Sequence, residues 1–143
     1  MQVPHDAVVM VVDGRKMLFL RNAGDAEFPN LQVEDKEVQD NPKDSDQKTD
    51  TAGQASSTTM GTMGETDFHQ QEEDRFAAEA AEMLKKRALN NDFESLIIVA
   101  APRTLGELRK HYHVSVSQRL AGEISKDLTG HTVPQIEEAL QKA

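Results

Sequence analysis

The sequence predicts an α/β domain built on a mixed five-stranded sheet, and three observations predict it. Ala7–Val12 and the apolar centre of the segment from Phe93 to Pro102 are continuous aliphatic runs, as expected of strands buried on both faces. An Asp13-Gly14 turn joins the first run to a second apolar stretch, which signals a hairpin. A long helical pattern separates the two runs, and a strand reached through a helix is most simply parallel to one already placed.

Each element follows in order. "AVVMVV" is the first strand and "MLFLRN" the second. After the turn-rich "GDAEFPN", Leu31, Val33 and Val38 alternate loosely and give a third, partly exposed strand with an irregularity between Val33 and Val38. Residues 41–66 are expected to be a long, flexible polar loop. Between Glu34 and Thr66 the large apolar residues are Val38, Met60 and Met63, too few to offset the entropy of ordering the segment. Asp67 with Gln70 forms a capping-box pattern for a helix of about 22 residues, roughly 33 Å long. Phe76, Ala80, Met83, Leu84 and Ala88 recur at helical spacing, with Glu72, Glu73 and Asp74 early and Lys85, Lys86 and Arg87 late, as the helix dipole prefers.

"FESLIIVAAP" supplies the fourth strand, and Thr104 with Glu107 a second capping box opening the helix "LGELRKHY". Val116, Leu120, Ile124 and Leu128 fall four apart, as in a helix, but Gly122 and the turn-like "LTGHTVP" favour a helix ending near Ala121 and a fifth strand from Glu123 to Leu128. Pro134 lies in the first turn of a last helix, "PQIEEALQK". The order β-β-β-α-β-α-β-α is that of a ribonuclease-H-like three-layer fold, with the first strand beside the fourth at the sheet centre.

The 143 residues fit one domain, 1–143, able to bury a core of its own. With 25 acidic and 16 basic residues the net charge is −9, which repels phosphate backbones and argues against generic DNA binding. The absence of cysteine excludes disulfides and thiolate chemistry and suits a reducing compartment. The apolar stretch before Asp13 is too short, and too weakly basic in front, for a secretion signal, and no run reaches the roughly 18 residues of a membrane span. A cytoplasmic protein without membrane insertion is expected.

Several segments carry a resemblance. "DGRKMLFLRN", "GDAEFPNL", "QDNP", "ETDFH", "APRTLGELRKH" and "KDLTGH" resemble the bacterial host-attachment family, described as proteins required for attachment to host cells, over about residues 4–140. That family is similar in turn to the middle domain of archaeal and eukaryotic class-one peptide-chain release factors, in which a Gly-Gly-Gln motif precedes the long helix and its Gln helps position water against the ester of peptidyl-tRNA. The same interval here holds Ala52-Gly53-Gln54, so the resemblance names Gln54 as a catalytic candidate. Ala52 stands where the motif has its first Gly, and Asp44, Asp46 and Asp50 face Lys43 and Lys48 in a loop that a ribosomal centre would want basic. The resemblance implies a non-enzymatic cytosolic binding or adaptor protein with an unnamed protein partner, indirectly required for host attachment. The alternative it implies is a translation-linked factor that contacts the ribosome or tRNA, with residual peptidyl-tRNA esterase activity.

Two other constellations are candidates from the residues themselves. Metal-dependent nuclease chemistry needs carboxylates from different elements, and Asp13, Glu72 or Glu73, and Asp127 could supply them. The fourth strand ends "VAAP" without an acid, however, and Asp13 is more simply a turn residue, so no metal and no other cofactor is expected. The start of the helix after the fourth strand offers free backbone N–H groups to an anion, and Arg103, Thr104, Gly106, Arg109 and Lys110 could receive a phosphate or carboxylate. The simpler reading is that Thr104 caps the helix, Gly106 permits close packing and the cations stay solvated. His111 and His113, two apart at a helix end, and His69 beside Glu72 and Glu73 are explained by a surface helix.

Overall fold

The computed structural model describes residues 1–38 and 58–143, with the backbone alone described over 58–67. The strands are β1 (Val8–Val12), β2 (Lys16–Asn22), β3 (Leu31–Val38), β4 (Leu96–Ala100) and β5 (Leu120–Ser125). The helices are α1 (Thr58–Leu89), α2 (Pro102–Arg109), α3 (Val114–Ser117) and α4 (Val133–Lys142). The sheet runs β3-β2-β1-β4-β5, with β1–β2 and β2–β3 antiparallel and β1–β4 and β4–β5 parallel.

β1 and β4 lie next to each other near the sheet centre, and every residue of both is buried. Alternation of side chains then splits them between two cores. Val8, Met10 and Val12 with Ile98 pack against Phe76, Ala80 and Leu84 of α1 and Leu105 and Leu108 of α2. Val9 and Val11 with Ile97 and Val99 pack against Ile136 and Leu140 of α4. Helices thus cover both faces, and each fully buried large aliphatic side chain contributes roughly 1.5–3 kcal/mol. Among the described residues, no helix is long and apolar enough to cross a membrane.

Several boundaries depart from those expected. α1 begins at Thr58, nine residues before Asp67, so 58–66 of the expected loop are helical and Asp67 and Gln70 lie inside the helix. Extending a nucleated helix costs little, and the run from Thr58 contains no proline to stop it. The remainder of the expected loop up to residue 57, Gln54 included, lies outside the described residues. α2 starts at Pro102 with Ala101 as its N-cap and no side-chain cap, so Thr104 is not the cap. Proline pre-sets the backbone for a first helical position and has no N–H to satisfy there. The expected single helix up to Ala121 is instead the four-residue α3, capped by His113, whose Nδ1 accepts from the Ser115 N–H at 3.1 Å. β5 starts at Leu120 rather than Glu123, because Gly122 sits within it, opposite Ile97, and leaves room for the Met1 side chain. α4 has a complete capping box, Thr132 with Gln135.

The edge strand β3 is tied down by charge. Its pairing with β2 shifts register between Phe19 and Leu20, across from Asp35 and Val33, which leaves Glu34 out of the ladder. The Glu34 carboxylate accepts from Arg21 Nε and Arg87 Nη2, each at 2.7 Å. Arg87 Nε reaches Asp92 at 2.6 Å and its guanidinium stacks 4.4 Å above the Phe19 ring. Partial burial pushes the Glu34 carboxyl up, but the hydrogen bonds from Arg21 and Arg87 outweigh that and hold it below its usual value.

Candidate functional site

β1, β4 and β5 point the same way, and the chain leaves their carboxyl ends through the β1–β2 turn, the start of α2 and the loop before α4. A cavity of about 270 Å³ opens there, where ligands of open α/β sheets gather. Asp13, Gly14 and Arg15 line it from the turn, Glu73 and Asp74 from α1, Arg103, Thr104 and Glu107 from α2, and Asp127 from the loop after β5.

Asp13 performs the turn role foreseen for it: Oδ1 accepts from the backbone N–H groups of Arg15 and Lys16, both at 2.7 Å. Its Oδ2 lies 2.6 Å from the Thr129 hydroxyl, which is also 2.9 Å from Asp127 Oδ1. Thr129 therefore joins the β1 end to the loop after β5. A hydroxyl has one proton, so it donates to one of the two carboxylates at a time.

The metal candidates are only partly brought together. Asp13 and Asp127 share the cavity, but Glu72 does not line it. Its side chain is 10% exposed and pairs with Arg75 at 2.9 Å. Glu73 takes the inward position instead. Its carboxylate lies over Gly14, where an added Cβ would fall 2.2 Å from Oε1, so the absence of a side chain at Gly14 is what admits it. Among the described residues no three His, Cys, Asp or Glu are grouped so as to hold a metal ion.

The anion candidates divide as well. Arg103 and Thr104 line the cavity. Arg109 faces away and pairs with Glu123 at 2.8 Å, while the Tyr112 hydroxyl donates to the other Glu123 oxygen at 2.6 Å. The Arg109 contact holds the Glu123 carboxyl below its usual value against the opposing effect of burial, and burial together with that carboxylate pushes the Tyr112 phenol up. Lys110 pairs with Glu107 at 2.6 Å, and a side chain at Gly106 would meet no atom within 4 Å, so this glycine serves no close packing.

Thr104 is 9% exposed and lines the cavity; its hydroxyl makes no hydrogen bond among the described residues and is open to solvent, since no buried side-chain polar atom there lacks a partner. Among the described residues Glu73, partly buried, likewise has no hydrogen-bond partner. The acids Asp74 and Glu107 and the cation Arg15 were not foreseen at this site. The i, i+3, i+4 spacing of Gln70, Glu73 and Asp74 places all three on one helical face, a signal available in the sequence.

No curated protein matches the chain. The family model described as bacterial archaeo-eukaryotic release factor family 12 matches residues 6–140, nearly the whole length. The chain with this sheet order and this cavity therefore belongs to the bacterial archaeo-eukaryotic release factor family 12.

Proposed function

We propose that the protein is a cytoplasmic, release-factor-like factor that contacts the ribosome or tRNA, and that residues 1–143 act as one domain of ribonuclease-H-like layering. The family match over residues 6–140 carries the reading. The parallel pairing of β1 with β4 beside an antiparallel β1–β2–β3 meander supports the layering. Binding rather than hydrolysis is favoured, because Ala52 replaces the first glycine of the motif that would make Gln54 hydrolytic.

Co-sedimentation with ribosomes at low and raised salt tests the contact, with the intact protein, a variant whose residues 42–57 are replaced by a short Gly/Ser linker, and Gln54→Ala. Salt-sensitive co-sedimentation is the expected result, since phosphate contacts weaken steeply with ionic strength. No association even at low salt would remove the reading. Loss of ester hydrolysis specific to Gln54→Ala would make the protein an enzyme.

One observation favours a second reading, the adaptor indirectly required for host attachment. The net charge of −9 suits protein partners better than nucleic acid. Capture of non-ribosomal proteins, unchanged by salt, is the outcome that distinguishes it.

A further inference from the structure

His113 makes a hydrogen bond that a charged imidazole cannot make. As the N-cap of α3 it accepts the Ser115 backbone N–H on Nδ1 at 3.1 Å, which requires a lone pair there and so places the ring proton on Nε2. A charged ring carries protons on both nitrogens and has no acceptor left. The Ser115 hydroxyl, 2.7 Å from the same nitrogen, can donate to the neutral ring or accept from the charged one, so it does not distinguish the two states. The backbone N–H does, because it can only donate.

The surroundings do not compensate for the lost cap. Ser115 is buried, and a buried donor left without its acceptor costs more than the hydrogen bond contributes when made. Among the described residues no carboxylate, Glu82 of α1 included, lies within 4 Å of the ring to stabilise a positive charge. Arg119, between α3 and β5, donates to the Ser115 carbonyl oxygen at 2.8 Å and adds a cation instead. Glu123 is taken by Arg109 and the Tyr112 hydroxyl, and Glu107 by Lys110 and His111. α1, which packs against α3, carries Lys85, Lys86 and Arg87 in its last turns. A positive ring at the start of a helix also opposes the helix dipole.

What α3 covers gives the cap its consequence. Val116 is 1% exposed and belongs to the core of Leu84, Ala88 and Phe93, while Val114, two residues away, is already 62% exposed.

We propose that His113 is an acid-sensitive latch on α3: proton uptake at Nδ1 releases the Ser115 N–H, opens residues 113–118 and uncovers Val116 beside Val114. By linkage the open form takes up the proton more readily, so opening rises as pH falls through the range in which imidazoles titrate, about pH 8 to 5. That window lies above the one in which Glu34 and Glu123 take up protons, so the two acid effects separate.

Amide hydrogen exchange of the full chain tests the latch, followed by NMR near pH 7.5 and near pH 5 and expressed as protection factors, which remove the intrinsic pH dependence of exchange. Ring-nitrogen shifts at the higher pH should show Nδ1 bare and Nε2 protonated. The N–H groups of Val116, Ser117 and Gln118 bond to the carbonyls of His113 and Val114, and their protection should fall at least about fivefold at the lower pH while that of β1 and β4 holds. His113→Asn, which caps without titrating, should keep the protection at both pH values, and His113→Ala should lower it at both. A ring proton on Nδ1 at the higher pH overturns the proposal. So does equal protection at the two pH values, or a fall that persists in His113→Asn.

Discussion

Two charged regions of the molecule are built from the same residue types and differ in whether the charges meet. At the junction of β2, β3 and the end of α1, Arg21, Arg87, Glu34 and Asp92 satisfy one another in contacts of 2.6 to 3.3 Å. At the carboxyl ends of β1 and β4, Glu73 and Arg103 stand in one cavity and do not. Both regions hang on α1, which carries Arg87 near one end and Glu73 well before it. The difference separates charge that ties elements together from charge that stays solvated.

Leu84→Ala should break both regions together. Leu84 is fully buried between Glu73 and Arg87 along α1, and its truncation is expected to cost about 2–5 kcal/mol in urea unfolding. Arg87→Met should break only the paired region. It removes two ion pairs and the contact over Phe19 at a partly exposed site, for an expected loss of about 1–2 kcal/mol with an unchanged m-value.

Acid sharpens the contrast further. Glu34 and Glu123 have folded-state carboxyls below the usual 4.5, so the stability they contribute is present above that value and lost as pH falls through the lower folded one. The urea midpoint should therefore drop on acidification below about pH 4.5. In Arg87→Met the drop should be smaller, since one of the hydrogen bonds that lowers Glu34 is gone.

The smallest effects belong to the cavity. Gly14→Ala should change stability by less than about 1 kcal/mol, because the atom it displaces is the far end of the Glu73 side chain and the Gly14 backbone is not left-handed. It should nonetheless push the Glu73 carboxylate away from the turn. Thr104→Val, which removes a hydroxyl open to solvent and without a partner among the described residues, should alter the unfolding free energy by no more than about 0.5 kcal/mol. A large loss in that variant would mean that the hydroxyl has a structural role.

The centre of the sheet was legible because burial on both faces leaves no room for polar residues, so "AVVMVV" and "LIIVA" announce themselves. The irregularity in β3 was legible for a similar reason: the apolar positions Val33 and Val38 cannot both keep a period of two. Helix starts were harder. Thr104 and Glu107 match a capping box in sequence, but Pro102 had already begun the helix. The site was half legible. Asp13, Arg103, Thr104 and Asp127 were named and do meet, whereas Glu72 and Glu73 are adjacent and only the helix phase decides which faces inward. Arg109 and Lys110 were named from their charge, and no local pattern reveals that Glu123, on the neighbouring strand β5, captures one of them.

The register shift opposite Phe19 and Leu20 has a consequence for crowding. Among the described residues β3 ends the sheet with one side unpaired, and Val33 and Val38 are about half exposed on it, at 49% and 53%. A straight strand of that kind is a template on which another chain can add itself. The displaced Glu34, followed by Asp35, Lys36 and Glu37, bends the row of backbone donors and acceptors and sets charge along it. The irregularity thus disfavours growth into fibrillar stacks at the β3 edge, one of the two ends of the sheet.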